Sequence, residues 1–201
     1  MQIDVELLKN ASKTNSVVLR FYEWDRASVS IGFIQKKSIV PNGDKYTIVN
    51  RPTGGGVVFH DNDFTYSVIV PSNHFIAALD RVESYHAIHR AILRAFAELG
   101  LDGYLATGDF PKSDRATMQC FITPTKYDLL CRDGDGVLRK FAGSAQRRTR
   151  NGLLHQGSIV MKSSNNDREL MRETLKNAFQ QEFSIKLVDF YPLFLQRHYA
   201  P

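Results

Sequence analysis

Only two cysteines, Cys120 and Cys131, occur in the 201 residues. So few thiols exclude a disulfide framework, and without a secretory signal the chain reads as cytoplasmic with both thiols reduced. No stretch approaches the ~18 consecutive apolar residues of a membrane span. The opening segment, Met1 to Asn10, carries Asp4 and Glu6 and lacks the apolar centre of a signal peptide. Metal-ligand spacings are missing as well. The six histidines form no H-x-x-x-H pair with acidic partners, and the cysteines are too far apart for C-x-x-C. Neither G-x-x-x-x-G-K-[ST] nor G-x-G-x-x-G is present, which removes the standard nucleotide loops. There is no repeat, low-complexity tract or linker, so residues 1–201 are expected to form one domain.

What is present fits a soluble globular domain: 43% hydrophobic and 23% charged residues, in a chain long enough for a substantial core. The net charge of +5 favours anionic partners: a nucleic acid, an acidic protein domain or a nucleotide phosphate. Arg147, Arg148 and Arg150 form a basic run, but no helix-turn-helix or aromatic–basic module accompanies it, so nucleic acid is not expected as a partner.

Strand signals dominate the first 70 residues. Val17–Trp24, Ser28–Ile34, Tyr46–Val49, Val57–His60 and Thr65–Val70 are rich in β-branched and aromatic residues. The first two segments, joined at Asp25-Arg26-Ala27, are expected to form a hairpin. So are the two that flank Asp61-Asn62-Asp63. The period then changes: Val82, Tyr85, Ile88, Ile92, Ala95, Phe96 and Leu99 mark one face of a helix closed by Gly100. Asp133-Gly134-Asp135-Gly136 predicts a hairpin between Tyr127–Cys131 and Val137–Phe141. Leu153–Met161 reads as a further strand, and Asp167 can cap a last helix to about Gln181. The expected class is α+β, with mixed or antiparallel sheets and helices packed on one side.

Three segments carry chemistry. The first is Arg51-Pro52-Thr53-Gly54-Gly55-Gly56-Val57-Val58-Phe59-His60. Consecutive glycines let backbone N–H groups approach a ligand, and arginine supplies a fork for carboxylate or phosphate. A plain glycine-rich turn is the bland alternative. The second runs from Arg139 to Arg148. It offers Lys140 as a fixed positive charge beside Gly143, Ser144 and Ala145, which leave room for a ligand. A solvated surface lysine is the alternative. The third, Leu153 to Ile159, places His155, Gly157 and Ser158 in an apolar strand, where a structural histidine is the commoner outcome. Each cysteine, taken alone, is most simply a small buried apolar residue.

In this order the segments resemble the lipoate–protein ligase and octanoyltransferase family, which shares its catalytic domain with biotin–protein ligases. Arg51–His60 resembles the family's R-x-[ST]-G-G-G-x-V-x-H signature, Lys140–Gln146 its K-x-[AS]-G-[SA]-A segment, and His155–Ile159 its H-x-G-[ST]-[IL] strand. Met1-Gln2-Ile3-Asp4 with Leu7-Leu8 resembles the opening helix. The biotin ligases' G-R-G-R-x-x-R loop has no counterpart.

The resemblance implies an enzyme that attaches a lipoyl or octanoyl group to a lysine of a carrier. The carriers would be lipoyl domains of 2-oxoacid dehydrogenase complexes or the glycine cleavage H protein. It implies that Arg51 and Gly54–His60 contact nucleotide or acyl phosphate, with Gly143, Ser144, Ala145, His155 and Gly157 at the same site. Lys140 would sit at the acyl carbonyl, and Asp128 would orient Lys140 or a magnesium ion. Two cues then oppose each other. The intact triple glycine fits an ATP-dependent ligase, with ATP and Mg2+ as cofactors, lipoate or octanoate as substrate, and no resident metal. Cys120, in Gln119-Cys120-Phe121-Ile122-Thr123-Pro124, resembles the nucleophile of an octanoyltransferase branch that draws on acyl carrier protein, although that branch usually has Arg at the position of Gly56. The expectation is therefore a ligase, with a Cys120-dependent transferase as the alternative. A non-catalytic module that holds lipoyl domains or free acid is a third possibility. No C-terminal accessory domain is expected, and no membrane association.

Overall fold

Two strands buried along almost their whole length, β5 (Asp63–Pro71) and β9 (Gly152–Val160), form the centre of the computed structural model. They pair antiparallel from Asp63↔Val160 to Pro71↔Gly152. The structure describes residues 1–108, 121, 123–132, 135–161 and 165–189. Around the central pair stand β1 (Val18–Tyr22), β8 (Leu138–Thr149), β7 (Leu129–Arg132) and β6 (Gly103–Leu105). They complete a six-stranded antiparallel sheet in the order β1-β5-β9-β8-β7-β6. A second sheet, ordered β3-β2-β4, consists of β2 (Ser28–Ile31), β3 (Thr47–Asn50) and β4 (Val58–Phe59). Its β2–β3 pair is parallel and its β2–β4 pair antiparallel.

Side chains alternate across a strand, so the two faces of the large sheet have different jobs. On one face Phe64, Tyr66, Val68, Val70, Leu153 and Ile159 pack against two long helices. These are α3 (Arg81–Glu98), after the single turn α2 (Phe75–Ala78), and α4 (Asn165–Phe183). Ile88, Ile92 and Phe96 of α3 are at most 1% exposed, and burying each contributes about 1.5–3 kcal/mol. A capping box formed by Asp80 and Glu83 starts α3, and Gly100, at φ +70°, follows its end. On the other face, helix α1 (Gln2–Thr14) sets Leu7, Leu8 and Ala11 on Ile69 and Leu154. The α+β class is as expected, but helices cover both faces rather than one. Helix α4 starts two residues before Asp167, which lies in its first turn instead of capping it. No helix among the described residues is long and apolar enough to cross a membrane.

Two expected hairpins do not form. β1 pairs with β5, and β2 pairs with β3 and β4, so Asp25-Arg26-Ala27 carries the chain from one sheet to the other. The links at Asp25–Ala27 and Asp61–Asp63 contain no residue at positive φ, which tight hairpin turns demand. Trp24 fixes the first crossing: its indole N–H donates to Thr65 Oγ1 (3.0 Å) and its ring stacks on His60 at 4.1 Å. β2 is also buried at all four positions, so both of its faces are covered, and it pairs with β3 on one edge and β4 on the other. The β7–β8 hairpin, where Gly136 has φ +76°, forms as expected.

Candidate active site

A pocket lies between the two sheets. Ser30, Val58 and His60 line it from the small sheet, and Tyr22, Thr65, Gly143, Ala145, Gln156 and Ser158 from the large one. Met1, Arg51, Phe121, Ser144 and Gly157 complete the wall. Strand alternation decides which residues of the glycine segment reach it. Val58 and His60 do, whereas Val57 and Phe59 face the outer cluster with Val29, Ile31, Val40 and Tyr46. The side chains of Val57 and Phe59, expected at the ligand, thus pack away from the pocket.

Arg51 is 6% exposed. Its guanidinium donates to the carbonyls of Gly54 (3.1 Å), Gly56 (2.6 Å) and Ser30 (2.9 Å), and to Ser30 Oγ (2.7 Å). Arginine therefore braces the glycine loop from within while lining the pocket. Gly55 has φ +84°, and a Cβ on Gly32 would collide with the Gly55 carbonyl oxygen, so two backbones meet there. A Cβ on Gly54 would meet nothing within 4 Å, so that part of the loop is open to a ligand.

Below the loop runs a closed set of hydrogen bonds. His60 Nε2 lies 2.6 Å from Ser30 Oγ, and His60 Nδ1 lies 2.7 Å from Asp63 Oδ2. The same carboxylate oxygen accepts from Ser158 (2.6 Å) and Thr65 (3.2 Å). Gln156 donates to Asp4 Oδ2 (2.7 Å) and accepts from Thr53 (2.8 Å).

Lys140 stands beside Gly143 and Phe121, two residues of the pocket wall. A bulge between Leu129 and Leu130 shifts the β7–β8 register, pairing Leu130 with Lys140 and Leu129 with Ala142. The odd spacing between Lys140 and Gly143 would otherwise put them on opposite faces. Instead, the ammonium occupies the space above Gly143, where an added Cβ would fall 2.6 Å from Nζ. Lys140 Nζ is 2.7 Å from Asp128 Oδ2, with the side chains 5% and 0% exposed. Asp128 also accepts from the Thr125 amide (2.6 Å), Thr125 Oγ1 (2.9 Å) and the Tyr85 hydroxyl. Four donors occupy this carboxylate, so it holds Lys140 and does not fit a magnesium ion. Among the described residues, no group of three or more His, Cys, Asp or Glu could hold a metal.

His155 is elsewhere. It lies on the helix-covered face with Tyr66, Tyr85 and His89, not in the pocket wall. Tyr66 fills the space above Gly157, and its hydroxyl lies 3.1 Å from Ser144 Oγ and 3.4 Å from His155 Nε2. His89 Nε2 lies 2.5 Å from Ser144 Oγ, and the Ser144 amide donates to Tyr85 (2.9 Å). Burial holds His89 down at about 4 and His155 well below the ordinary histidine range, so both are neutral. Arg148, although exposed, is tied down by the protein itself: it donates to the Ala77 and Asp80 carbonyls and to Ser84.

Cys131 belongs to the core, and burial pushes its thiol up to about 11. Cys120 lies outside the described residues. Phe121 is described: it lines the pocket, and its ring centroid is 5.6 Å from Lys140 Nζ. The sequence motifs did not bring out Tyr22, Ser30, Thr65, Tyr85 or Gln156. Their only signal was a polar residue on one face of an otherwise apolar element.

This fold and pocket define a class. The chain belongs to the family of the lipoyl protein ligase A/B catalytic domain, whose model matches residues 1–187. The chain is similar to the octanoyltransferase LipM of Bacillus subtilis, with 38% identity over 172 residues, taking in 80% of this chain and 60% of that protein. The LipM octanoyltransferases of Staphylococcus aureus (36% over 171 residues, 80% and 60%) and Staphylococcus epidermidis (34% over 204 residues, 94% and 72%) are similar as well. The chain thus spans about 60% of the length of the first two relatives. Among solved structures, a lipoate-protein ligase A bound with ATP superposes with a TM-score of 0.70 at 19% identity, covering 93% of this chain and 81% of that one. A bi-partite lipoate protein ligase from Thermoplasma acidophilum gives 0.65 at 17% identity, covering 94% and 82%. At such identities these structures establish the shared fold alone.

Proposed function

We propose that this chain transfers an octanoyl or lipoyl group from a thioester donor to a lysine of a lipoyl carrier domain, with Cys120 as nucleophile. The observation that carries this reading is the position of Phe121. The residue that follows Cys120 in sequence lines the acyl pocket and packs beside the Lys140 ammonium. The names of the relatives point the same way, which reverses the order of the two sequence-based expectations and puts the transferase ahead of the ligase. The occupied Asp128 carboxylate also removes the one residue expected to hold magnesium for ATP.

In the first step the Cys120 thiolate attacks the donor carbonyl, an S-acyl bond forms, and the donor thiol leaves. In the second the unprotonated carrier lysine attacks the acyl–Cys120 carbonyl. An amide forms, the thiolate departs, and the amine gives up its proton to solvent. Lys140 contributes a fixed positive charge, which favours the thiolate and the oxyanion of each tetrahedral intermediate. Asp128 holds that charge in place. The donor is acyl carrier protein or an acylated domain. The acceptors are lipoyl domains of 2-oxoacid dehydrogenase complexes or the glycine cleavage H protein.

Mass spectrometry after mixing with octanoyl-acyl carrier protein tests this. The expected result is an octanoyl adduct on the protein that is absent from Cys120→Ser and is passed to an added lipoyl domain. Domain acylation that needs ATP and free octanoate, with no adduct, would restore the ligase.

A further inference from the structure

Helix α3 reaches the site through two side chains one turn apart. Tyr85 and His89 share a face of the helix, and their rings stack at 4.2 Å. Both grip Ser144 of β8. The Ser144 amide donates to the Tyr85 hydroxyl (2.9 Å), and Ser144 Oγ lies 2.5 Å from His89 Nε2. Ser144 follows Gly143, the residue over which the Lys140 ammonium stands.

The groups themselves set the direction of each bond. An amide N–H can only donate, so Tyr85 accepts from Ser144. Its own proton is left for Asp128 Oδ1. Burial and the Asp128 charge push the Tyr85 hydroxyl well above the ordinary tyrosine range, so that proton stays in place. The two oxygens of Asp128 thus have separate tasks. Oδ2 takes Lys140 (2.7 Å), the Thr125 amide (2.6 Å) and Thr125 Oγ1 (2.9 Å). Oδ1 takes Tyr85, and it lies 3.2 Å from where a Cβ on Gly143 would be. The last torsion of an aspartate is soft by itself. Held at both oxygens, the carboxylate cannot turn, and Oδ2 presents one fixed point to the ammonium.

We infer that Tyr85 is a positioning residue for Lys140: its one hydroxyl ties the counterion of the ammonium to the β8 backbone beside Gly143, and so fixes where the positive charge stands. Tyr85 is not part of the pocket wall and acts only through Asp128. The inference rests on the role of Lys140 proposed above.

Tyr85→Phe keeps the ring and its stack on His89 and removes only the hydroxyl. Steady-state octanoyl transfer to a lipoyl domain is measured, with the folded fraction read by circular dichroism at the assay temperature. In Tyr85→Phe, kcat should fall about 10- to 100-fold, the effect of a displacement of up to ~1 Å, while KM for the acyl donor stays within about twofold. A second readout separates positioning from a general loosening of the fold. In Gly143→Ala the ammonium is already displaced, so adding Tyr85→Phe should lower kcat by less than about threefold more. Losses that multiply in the double variant, or a rate that falls only in step with the folded fraction, would overturn the role of Tyr85 and leave that of Lys140 standing. A wild-type kcat in Lys140→Met/Asp128→Asn would overturn both.

Discussion

The Lys140 ammonium occupies the space that any side chain at Gly143 would need. An alanine Cβ there would fall 2.6 Å from Nζ, and the colliding group is the far end of a flexible chain, not backbone. The strand can therefore keep its pairing while the ammonium moves away from its post. Gly143→Ala should cost modest stability, about 1–2 kcal/mol, and lower kcat by about 100-fold, since a displacement near 1 Å has that effect on an aligned group. Chemical unfolding together with steady-state transfer rates checks this. A full rate in Gly143→Ala would mean that Lys140 need not stand there.

Removing Lys140 itself has a second consequence. Asp128 is fully buried, and Lys140 is its charged partner at 2.7 Å. Lys140→Ala would leave a buried carboxylate uncompensated, at a cost of about 3–5 kcal/mol. Loss of activity in that variant would then mix chemistry with instability. The double variant Lys140→Met/Asp128→Asn should regain much of the stability, because the side-chain amide still hydrogen-bonds Thr125 and Tyr85, and none of the activity. Equal stability of wild type and Lys140→Ala would show that the pair is not held as described.

Much of the site was legible because glycine and lysine segments name chemistry directly. Gly143 and Lys140 stand close in sequence, and the small residue makes room for the charged one. The pairing of strands was less legible. Ser28–Ile31 reads as an ordinary strand, but its four buried positions and its parallel partner, Thr47–Asn50, depend on a crossing pinned by Trp24 on His60. No local pattern specifies that contact. His155 sits in a family-like strand, and only the register Val68↔His155 reveals that it faces the helices. Tyr85 was hidden for a related reason: it reads as one more residue on the apolar face of a helix, and its tie to Asp128 and Ser144 depends on how that helix lies on the sheet.

Two glycines in one loop region should respond oppositely to the same change. A Cβ on Gly32 runs into the Gly55 carbonyl oxygen, a backbone atom that cannot swing aside. Gly32→Ala should therefore displace the glycine loop and destabilise the protein by roughly 1–3 kcal/mol. A Cβ on Gly54 meets nothing within 4 Å. Gly54→Ala should leave the unfolding midpoint within about 0.5 kcal/mol of wild type. If ligand backs onto the loop there, acyl-donor KM should rise. A Gly54→Ala protein with normal KM would mean that the loop's open side is not a ligand surface.

Acid stability should report the buried histidines. Burial holds His89 at about 4 and His155 well below its ordinary value, whereas both are near 6.5 in the unfolded chain. Between pH 6.5 and 4 the unfolded state takes up protons that the folded state refuses, so stability falls as pH falls. His89 alone should remove about 3 kcal/mol by pH 4, and its contribution is absent above pH 7. His155 extends the loss to lower pH. Carboxylates add their own slope, so the informative comparison is with His89→Gln, whose amide oxygen can still accept from Ser144. Urea unfolding from pH 7 to pH 4 should give a shallower decline in that variant than in wild type. Parallel declines would mean that His89 takes its proton in the folded state as readily as in the unfolded one, and that Ser144 is not held by a neutral imidazole.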